Sequence, residues 1–349
     1  MALEQEQIKL TQYSHGAGCG CKISPKILDE ILQSVGKQNI FPGLLVGNET
    51  KDDAAVFDLG NGTGLISTTD FFMPIVDDAI KFGKIASVNA ISDVYAMGGK
   101  PLMAIAILGW PIDKITPYYA GLVLEGARQA CAEAGIPLAG GHSIDCPEPV
   151  FGLAVSGLID LKHLKKNSGA SAGSSLYLTK KLGVGILTTA QKKALLKEEH
   201  ADIAPDSMMQ LNKIGEVFGK LDYIEAMTDV TGFGLLGHLT EMCEGSDCSA
   251  EINFEMIPTI DKEILNYYLN LNSVPGGTTR NFNSYGHKIT GLDDHKKSIL
   301  CDPQTSGGLL VAVKNGYEDV FEQTANENGF ILKSFGKLIE KSTFVVNVV

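Results

Sequence analysis

Short apolar strands alternate with helices along almost all of this 349-residue chain, and this alternation limits the possible folds more than any other feature. Strand patterns occupy residues 54–57, 64–69, 103–108 and 151–159, and helix patterns occupy residues 79–97 and 118–134. The helix at 79–97 is followed by Gly98-Gly99 and Pro101, which end helices because they favour turn conformations. Regular mixing of the two element types predicts an α/β (α+β) protein.

A second series of the same kind follows a stretch rich in Ser, Gly and Ala at residues 165–175. It contains predicted strands at 176–179, 223–227, 252–254, 308–313 and 344–348, predicted helices at 208–218 and 235–243, and a further element that begins at Gly183. A chain of this length exceeds what one hydrophobic core usually organises. We therefore predict a flexible Gly/Cys segment at 1–24, an N-terminal domain at 25–165 that opens with a helix at Pro25, and a C-terminal domain at 170–349.

The composition excludes two classes of partner. With 44% hydrophobic and 20% charged residues, the chain is typical of a globular protein. Its formal net charge of −12 argues against a nucleic-acid partner, since phosphate backbones attract clustered Lys and Arg. The longest apolar stretch, residues 102–112, is shorter than the roughly 18 residues needed to cross a bilayer, so we expect no membrane partner.

The seven cysteines indicate a reducing compartment. Their number is odd, and the first nine residues are polar, which predicts that no signal peptide directs the chain to an oxidising compartment. We therefore expect free thiols and a cytoplasmic location.

Aspartates lie at the ends of predicted strands and inside one apolar helix. Asp52 and Asp53 precede a strand, Asp70 and Asp229 end two others, and Asp93 lies in the helix at 79–97, four residues after Asn89 and on the same face. A carboxylate is seldom buried in such a helix unless it is paired or binds a metal. Any one of these residues could instead face solvent or cap a helix. The set as a whole suits Mg²⁺, which binds a few carboxylates together with phosphate oxygens.

Glycine-rich sequences supply candidate phosphate sites, although no G-x-x-x-x-G-K-[ST] sequence is present and a P-loop is excluded. Turns are predicted at Gly140-Gly141-His142-Ser143, Gly183-Val184-Gly185 and Gly307-Gly308, each of them weak evidence because such turns are common connectors. The sequence from Gly232 to Gly237 matches the dinucleotide fingerprint G-x-G-x-x-G after a predicted strand. Asp229 would place a carboxylate near the pyrophosphate, and no second mononucleotide-binding half is present, so a Rossmann site is disfavoured.

The run Cys19-Gly20-Cys21-Lys22, close to His15, is the most unusual local sequence. Two cysteines at this spacing do not complete a zinc site, and a disulfide between them would be strained. A reactive thiol is one interpretation, because Lys22 would lower the pKa of a neighbouring thiol and the glycines would allow the segment to close over a ligand. A partial metal site or an inert tail is the alternative.

This run, within residues 10–22, closely resembles the N-terminal signature of the selenophosphate synthetase (selenide, water dikinase) family. Similar motifs of that family are matched at residues 51–56, 67–72, 89–99, 140–145, 228–234 and 302–308. The later motifs are shared with aminoimidazole-ribotide synthetases, thiamine-phosphate kinases and hydrogenase-maturation dehydratases, whereas the thiol run is specific to selenophosphate synthetases. The resemblance therefore spans nearly the whole chain.

The resemblance implies a two-domain aminoimidazole-ribotide-synthetase-like fold, a homodimer formed through the N-terminal domains, and ATP in a cleft near the dimer junction. It implies that Mg²⁺ is bound by Asp53, Asp93 and Asp229. It also implies nucleotide or phosphate contacts by Lys22, Thr50, Lys51, Asp52, Asp70, Asp93, Gly141, His142 and Ser143. Cys19 takes the position of the catalytic cysteine, with Lys22 as a second catalytic residue, and a requirement for K⁺ is left open.

The implied reaction consumes ATP, selenide and water and releases selenophosphate, AMP and orthophosphate. Hydrogen selenide is largely ionised at neutral pH, so its attack needs charge neutralisation and alignment rather than a strong base. Two alternatives stay open. One is another ATP-dependent enzyme of the same superfamily, and the other is a non-catalytic protein in which His15, Cys19 and Cys21 bind a soft metal ion or selenium.

Overall fold

Six described strands of the N-terminal half form one mixed sheet in the computed structural model, which describes residues 8–23, 25–34, 41–47 and 51–349. The strands are β1 (Leu44–Val46), β2 (Ala55–Asp58), β3 (Thr63–Phe72), β4 (Lys100–Trp110), β5 (Leu138–Asp145) and β6 (Val150–Asp160), and the helices are α1 (Pro25–Ser34), α2 (Ala79–Ala96) and α3 (Pro117–Ala134). The order in the sheet is β1-β2-β3-β6-β4-β5. Neighbouring strands are antiparallel except for β4 and β5, which are parallel.

Helix α2 is buried on nearly all sides because it lies between the sheet, α3 and the C-terminal domain. Its N-terminus is capped by Asp78, whose carboxylate accepts a backbone hydrogen bond (2.8 Å) from the first turn, and the chain leaves the helix at Gly98 with a φ of 76°. The helix carries the polar residues Asn89, Ser92 and Asp93 into the junction between the domains.

The face of this sheet opposite α2 and α3 is open and apolar. Phe57, Phe71, Met103, Ile105 and Leu158 lie on it, and each is at least about one third exposed. Strand β5 forms one edge of the sheet, and no strand of the described chain pairs with its outer side. Proteins normally cover both exposed apolar sheet faces and unpaired edges. This face is therefore suited to contact another protein surface.

Seven described strands of the C-terminal half form a second mixed sheet, in the order β10-β13-β9-β12-β7-β11-β8. Its strands are β7 (Ser175–Leu178), β8 (Ile224–Asp229), β9 (Ser249–Ile252), β10 (Ile289–Thr290), β11 (Leu309–Val313), β12 (Gly336–Ile339) and β13 (Val346–Val348). Its helices are α4 (Val184–Lys192), α5 (Ile203–Met208), α6 (Ile214–Gly219), α7 (Gly234–Gly245), α8 (Lys262–Asn270), α9 (Gly276–Tyr285), α10 (Asp294–Leu300) and α11 (Glu318–Glu327). Within the described ranges, no helix is both long and apolar enough to cross a membrane.

The pairing of strand β8 excludes a Rossmann unit. It precedes the glycines at 232–237, and its one described neighbour, β11, runs antiparallel to it. A Rossmann unit requires parallel neighbours on that strand. The glycine sequence at 232–237 therefore does not form a dinucleotide-binding site in this fold, in agreement with the prediction from sequence.

The two domains meet along α2 through buried polar contacts. Asn212 donates from Nδ2 to Ser92 Oγ and to the carbonyl oxygen of Gly307, both at 2.8 Å. Gly215 lies so close to α2 that an added Cβ would be 2.3 Å from the carbonyl oxygen of Tyr95. Because buried hydrogen bonds require defined partners, these contacts fix the orientation of the two domains at their junction.

The fold class and the two-sheet organisation are confirmed, but three local predictions are wrong. The helix predicted at 208–218 is two helices, α5 and α6, because Asn212 between them directs its side chain into the domain junction. The strand predicted at 252–254 ends at Ile252, and a short 3₁₀ turn begins at Phe254. The turn predicted at 140–143 is the middle of strand β5. There Gly141 lies so close to β4 that a Cβ would be 2.2 Å from the carbonyl oxygen of Ala106.

Candidate active site

Most of the predicted site residues line one pocket at the junction of the domains, called here the carboxylate pocket. It has a volume of about 500 Å³ and is formed by the loop before β2, strand β3, helix α2 and the carboxyl end of β8. Its walls include Lys22, Lys51, Asp52, Asp53, Asp70, Asp93 and Asp229. Thr50 lies outside the described residues. The structure thus brings seven predicted residues together from separate parts of the chain.

Each of the three predicted metal ligands accepts a hydrogen bond from one hydroxyl group. Thr228 donates to Asp53 (2.8 Å), Thr68 donates to Asp93 (2.5 Å), and Ser92 donates to Asp229 (2.5 Å). The carboxylates come from a loop, a helix and a strand end. The Thr68–Asp93 hydrogen bond lies within the N-terminal domain, whereas the Thr228–Asp53 and Ser92–Asp229 hydrogen bonds cross the domain junction.

Burial and repulsion from neighbouring carboxylates raise the pKa values of the three predicted metal ligands. Burial raises the pKa values of Asp53 and Asp93 well above their usual range, and repulsion from Asp229 raises both further. Burial also raises the pKa of Asp229 to about 6, against the opposing effects of the Ser92 hydrogen bond and the Lys22 charge. A divalent cation in the pocket would relieve this repulsion and favour the ionised forms.

The chemistry of these residues fits a bound Mg²⁺ ion. Oδ2 of Asp53 is buried and has no hydrogen-bond partner among the described residues, so an acceptor oxygen is available to a ligand. In the ranges that the structure describes, no three acidic, His or Cys side chains are close enough to form a complete metal site by themselves. Mg²⁺ commonly takes one or two carboxylates and completes its coordination with water and phosphate oxygens. The donor set therefore suits a metal ion that is held between the protein and a nucleotide.

Lys22 extends from the thiol segment, defined here as residues 14–22, into the carboxylate pocket. Its Nζ lies 3.3 Å from Asp70 Oδ2, and 37% of the side chain is exposed. Burial lowers the pKa of Lys22, but Asp70 and other nearby negative groups outweigh that effect and raise it, so the ammonium group is charged at neutral pH. A charged ammonium at the mouth of this acidic pocket is suited to contact a phosphate group.

Cys19 is completely buried beside the carboxylate pocket. Its backbone N–H donates to Thr305 Oγ1 (3.0 Å), and its thiol donates to Asn89 Oδ1 (3.3 Å). Burial raises the pKa of Cys19 above its usual value, and the nearby Lys22 charge lowers it by less. Lys22 lowers the pKa of the thiol, as the sequence predicts, but burial has the larger effect and the thiol is protonated.

Asn89 connects Cys19 to the carboxylate pocket. Its Nδ2 donates to Asp70 (2.5 Å), and its Oδ1 accepts a hydrogen bond from the backbone N–H of Ser306 (2.7 Å) as well as from the thiol. Sequence reasoning places Asn89 on the helix face of Asp93 but assigns it no role. Its spacing of four residues from a buried carboxylate was the available signal.

The wall formed by Phe233 and His238 was not predicted. The two rings stack with centroids 5.7 Å apart, and both residues line the carboxylate pocket. Burial lowers the pKa of His238 to about 3, so the ring is neutral and its Nε2 accepts a hydrogen bond from the backbone N–H of Thr231 (3.1 Å). These residues lie within or beside the 232–237 glycine sequence, which drew attention only as a dinucleotide fingerprint.

The structure does not bring Gly141, His142 and Ser143 to the carboxylate pocket within one chain. They lie on β5 and line a separate cavity of about 280 Å³. Asp70 and Gly141 occupy one row across the sheet, with β6 and β4 between their strands. Three strand spacings separate them by about 14 Å. Their predicted contact with the nucleotide is therefore not explained by the carboxylate pocket of a single chain.

The other glycine-rich sequences provide close packing. At the start of α4, the backbone N–H of Gly185 donates to Oδ2 of Asp302 (3.0 Å), so a side chain of the protein occupies the position where a phosphate would bind. A Cβ on Gly308 would lie 2.3 Å from the backbone nitrogen of Lys180. A Cβ on Gly232 would lie 2.6 Å from the carbonyl oxygen of Cys19, which shows that Gly232 makes room for the thiol segment.

Family models and solved structures agree with this fold. The AIR synthase related protein N-terminal domain matches residues 51–159, and the AIR synthase related protein C-terminal domain matches residues 171–349. Thiamine-monophosphate kinase from Stenotrophomonas maltophilia K279a aligns with a TM-score of 0.64 at 17% identity, over 92% of this chain and 95% of that chain. The hydrogenase maturation protein HypE in complex with ATP aligns with a TM-score of 0.59 at 18% identity, over 95% and 90%. At these identities the likeness shows the fold alone.

Three curated relatives are far more similar in sequence. The selenide, water dikinase of Colwellia psychrerythraea (strain 34H) is 60% identical over 341 residues, which is 98% of this chain and 98% of the relative. Those of Pseudomonas putida and Escherichia coli (strain K12) are 59% and 58% identical, over 99% of both chains and over 97% and 96%, respectively. Identity at this level extends through both domains, and the chain therefore belongs to the selenide, water dikinase family of AIR synthase related proteins.

Proposed function

We propose that this protein makes selenophosphate from selenide, ATP and water and releases AMP and orthophosphate. The observation that carries the proposal is the position of the thiol segment, which lies against a pocket lined by five aspartates and inserts Lys22 into it. The thiol that could bind selenium therefore lies next to the pocket that could hold phosphates and a metal ion. An enzyme with a purine or thiamine acceptor would have no use for the thiol run, and family membership supports the selenium reaction.

The carboxylate pocket is proposed to hold the phosphates of ATP. Asp53, Asp93 and Asp229 would hold Mg²⁺, which neutralises phosphate charge when bound. Lys22 adds a positive charge that stabilises the phosphoryl group during transfer. The unpaired Oδ2 of Asp53 and the repulsion that Asp229 exerts on Asp53 and Asp93 support this assignment.

Thr50, Lys51 and Asp52 are proposed to contact the nucleotide at one side of the same pocket. The loop that carries Lys51 and Asp52 is fixed by Asn167, whose backbone N–H donates to Asp52 Oδ1 and whose Nδ2 donates to the carbonyl oxygen of Lys51, both at 2.8 Å. Asn167 lies in the segment between the two sheets. Nucleotide contacts at this loop would therefore be sensitive to the arrangement of the domains.

Cys19 is proposed to guide selenium toward the γ-phosphate. Hydrogen-bonded side chains link its thiol through Asn89 and Asp70 to Lys22. Because the buried thiol is protonated, the ionised selenide supplies the electron pair. A Se–P bond forms, the bond from the γ-phosphorus to the bridging oxygen breaks, and ADP leaves. Water then cleaves ADP to AMP and orthophosphate. The chain's residues align an already ionised nucleophile and exclude competing water.

A homodimer is part of the proposal. The open apolar face of the N-terminal sheet and the unpaired edge of β5 support association of two copies through this domain. In such a dimer, Gly141, His142 and Ser143 of one copy would reach the nucleotide of the other. This would account for residues that lie about 14 Å from Asp70 in their own sheet.

The reaction also requires reduced selenium. The cysteines at 19, 131, 146, 243, 248 and 301 are all free thiols, which supports a reducing, cytoplasmic setting. Selenide and free thiols are both lost to oxidation, so the substrate and the cysteines require the same reducing conditions.

The direct test is anaerobic phosphorus NMR of the protein with ATP, Mg²⁺ and selenide, in matched K⁺ and Na⁺ buffers. We expect selenide-dependent formation of selenophosphate, AMP and orthophosphate, with a loss of turnover in Cys19→Ser and Lys22→Ala. ATP consumption that does not depend on selenide would indicate another enzyme of the superfamily. Intact ATP together with bound metal or selenium would indicate a non-catalytic binding protein.

A further inference from the structure

A second cavity lies on the side of the thiol segment away from the carboxylate pocket, and it is called here the rear cavity. Its volume is about 450 Å³, and its walls come from the thiol segment, helix α4 and the start of helix α9. Gly20 and Thr305 are among the lining residues. Cys19 precedes Gly20 and is hydrogen-bonded to Thr305, so Cys19 lies in the partition between the rear cavity and the carboxylate pocket.

The two sides of this partition have opposite charge. The rear cavity is lined by Lys192, Lys193 and Arg280, and no Asp or Glu is among its described lining residues. His15 also lines it but pairs with Glu148 (2.9 Å), so the positive charge comes from the other three residues. The carboxylate pocket is lined by five aspartates and Glu241 against two lysines. Charge of one sign along a cleft concentrates ions of the opposite sign. The rear cavity therefore attracts anions, and the carboxylate pocket without its metal repels them.

Two of the cationic groups have hydrogen-bond donors left for a ligand. Arg280 donates from Nη2 to the carbonyl oxygen of Gly20 (2.7 Å) and has no acidic partner in the described chain, so most of its five N–H groups are available. Lys193 donates to the carbonyl oxygen of Asn272 (2.8 Å) and retains two N–H groups. Lys192 differs, because it donates to the carbonyl oxygens of residues 14, 15 and 16 and so holds the thiol segment in place.

We propose that the rear cavity is the entrance through which the hydrogen selenide anion reaches Cys19, an inference that rests on the proposed function. The thiol is fully buried and lines a small cavity of about 10 Å³. That cavity shares Gly20 and Arg280 with the rear cavity and Lys22 with the carboxylate pocket, so selenium approaches the thiol from one of these two sides. The cationic side draws an anion in, whereas the other side is reserved for ATP and is acidic. The two substrates then arrive from opposite faces, and the nucleotide is not opened to solvent when selenium enters.

Charge removal in the rear cavity tests this route. In anaerobic selenophosphate synthesis, Lys193→Gln should raise the selenide KM about 5-fold and Lys193→Gln/Arg280→Gln about 10-fold or more. The Kd of a non-hydrolysable ATP analogue should change less than twofold. The wild-type kcat/KM for selenide should fall with added NaCl, and the double variant should lose most of that dependence.

Two further variants separate charge from positioning. Lys193 donates to Asn272 and makes no hydrogen bond to the described residues of the thiol segment, whereas Arg280 holds Gly20. Arg280→Lys, which keeps the charge, should therefore retain a selenide KM close to that of the wild type. Lys333→Gln removes an equal charge outside the walls of the cavity, where Lys333 pairs with Glu322, and should leave the selenide KM unchanged.

If the double variant has an unchanged selenide KM and an unchanged salt dependence, the proposal that selenide enters through the rear cavity is wrong. A lower kcat at an unchanged selenide KM would assign the rear cavity to product release and would overturn it equally. Failure of the wild-type protein to make selenophosphate would instead reject the proposed function, together with this inference, before any variant is compared.

Discussion

Replacing Gly232 by alanine should displace the thiol segment and leave the carboxylate pocket in place. The added methyl group would lie 2.6 Å from the carbonyl oxygen of Cys19. Carbon–oxygen contacts require about 3.3 Å, so the backbone of the segment has to move by about 0.7 Å. The contact is with backbone, so rotation of a side chain cannot relieve it.

A displacement of this size should lower selenophosphate turnover by about 100-fold, because misplacing reacting groups by about 1 Å has that effect. The aspartates of the pocket lie on other elements, so the Kd of a non-hydrolysable ATP analogue should change less than threefold. Phosphorus NMR measures the turnover and calorimetry measures the binding. Gly121→Ala is the matched control, since a Cβ there has no neighbour within 4 Å, and it should retain full turnover.

Wild-type turnover in Gly232→Ala would refute the reasoning, because the position of the thiol segment would then not matter to the reaction. A loss of nucleotide binding that equals the loss of turnover would also refute it. In that case the substitution would act on the carboxylate pocket rather than on the segment.

Three further predictions concern stability, pH and assembly. Asn89→Ala removes the acceptor of the Cys19 thiol and the donor to Asp70, so it should lower the free energy of unfolding by about 2–4 kcal/mol and speed alkylation of Cys19. Denaturant titration measures the free energy of unfolding, and iodoacetamide labelling measures the rate of Cys19 alkylation. An unchanged labelling rate would contradict the assignment of Asn89 as the residue that holds the thiol. Burial raises the pKa of Asp302 to about 8, so its contribution to stability is complete below about pH 4, the unfolded value, and is lost as the pH rises toward 8. The Tm of Asp302→Asn, measured by scanning calorimetry, should therefore rise by at least about 2 °C relative to that of the wild type between pH 5 and pH 8. A difference in Tm that stays constant over this range would show that Asp302 does not ionise there. Ile105→Glu, on the open sheet face, should give a folded monomer with little ATP turnover, measured by light scattering and phosphorus NMR, whereas an intact dimer would place the interface elsewhere.

The long elements could be predicted from sequence because their periodicity extends over many residues. Strands β3, β4 and β6 and helices α2 and α3 were predicted in this way. Strand β5 was not, because the glycine at 141 that permits close contact with Ala106 is the same residue type that turns require. A local pattern does not distinguish close backbone approach across a sheet from a reversal of the chain.

The charged part of the site was predictable for a related reason. Asp93 stands out because its helix is otherwise apolar. Thr68 and Asn89 have common polar side chains, so the sequence assigns them no role, although it places Asn89 on the helix face of Asp93. The protonation of Cys19 could not be predicted either. Proximity to Lys22 correctly gave the direction of one electrostatic effect, but the depth of burial, which is the larger effect, arises from residues far along the chain.

The distance in sequence between Cys19 and its partners has a consequence during synthesis of the protein. The hydrogen bond from Cys19 to Thr305 joins residues 286 positions apart, and Gly232 and Arg280 also follow late in the chain. At about 5–20 residues per second, the ribosome needs roughly 15–60 s to add Thr305 after Cys19. Until then Asn89 is present but the C-terminal part of the surface that buries the thiol is missing, so the nascent chain leaves Cys19 less shielded from oxidants. Chains released early would therefore carry a less protected Cys19, which makes alkylation of that thiol a sensitive marker of incomplete synthesis.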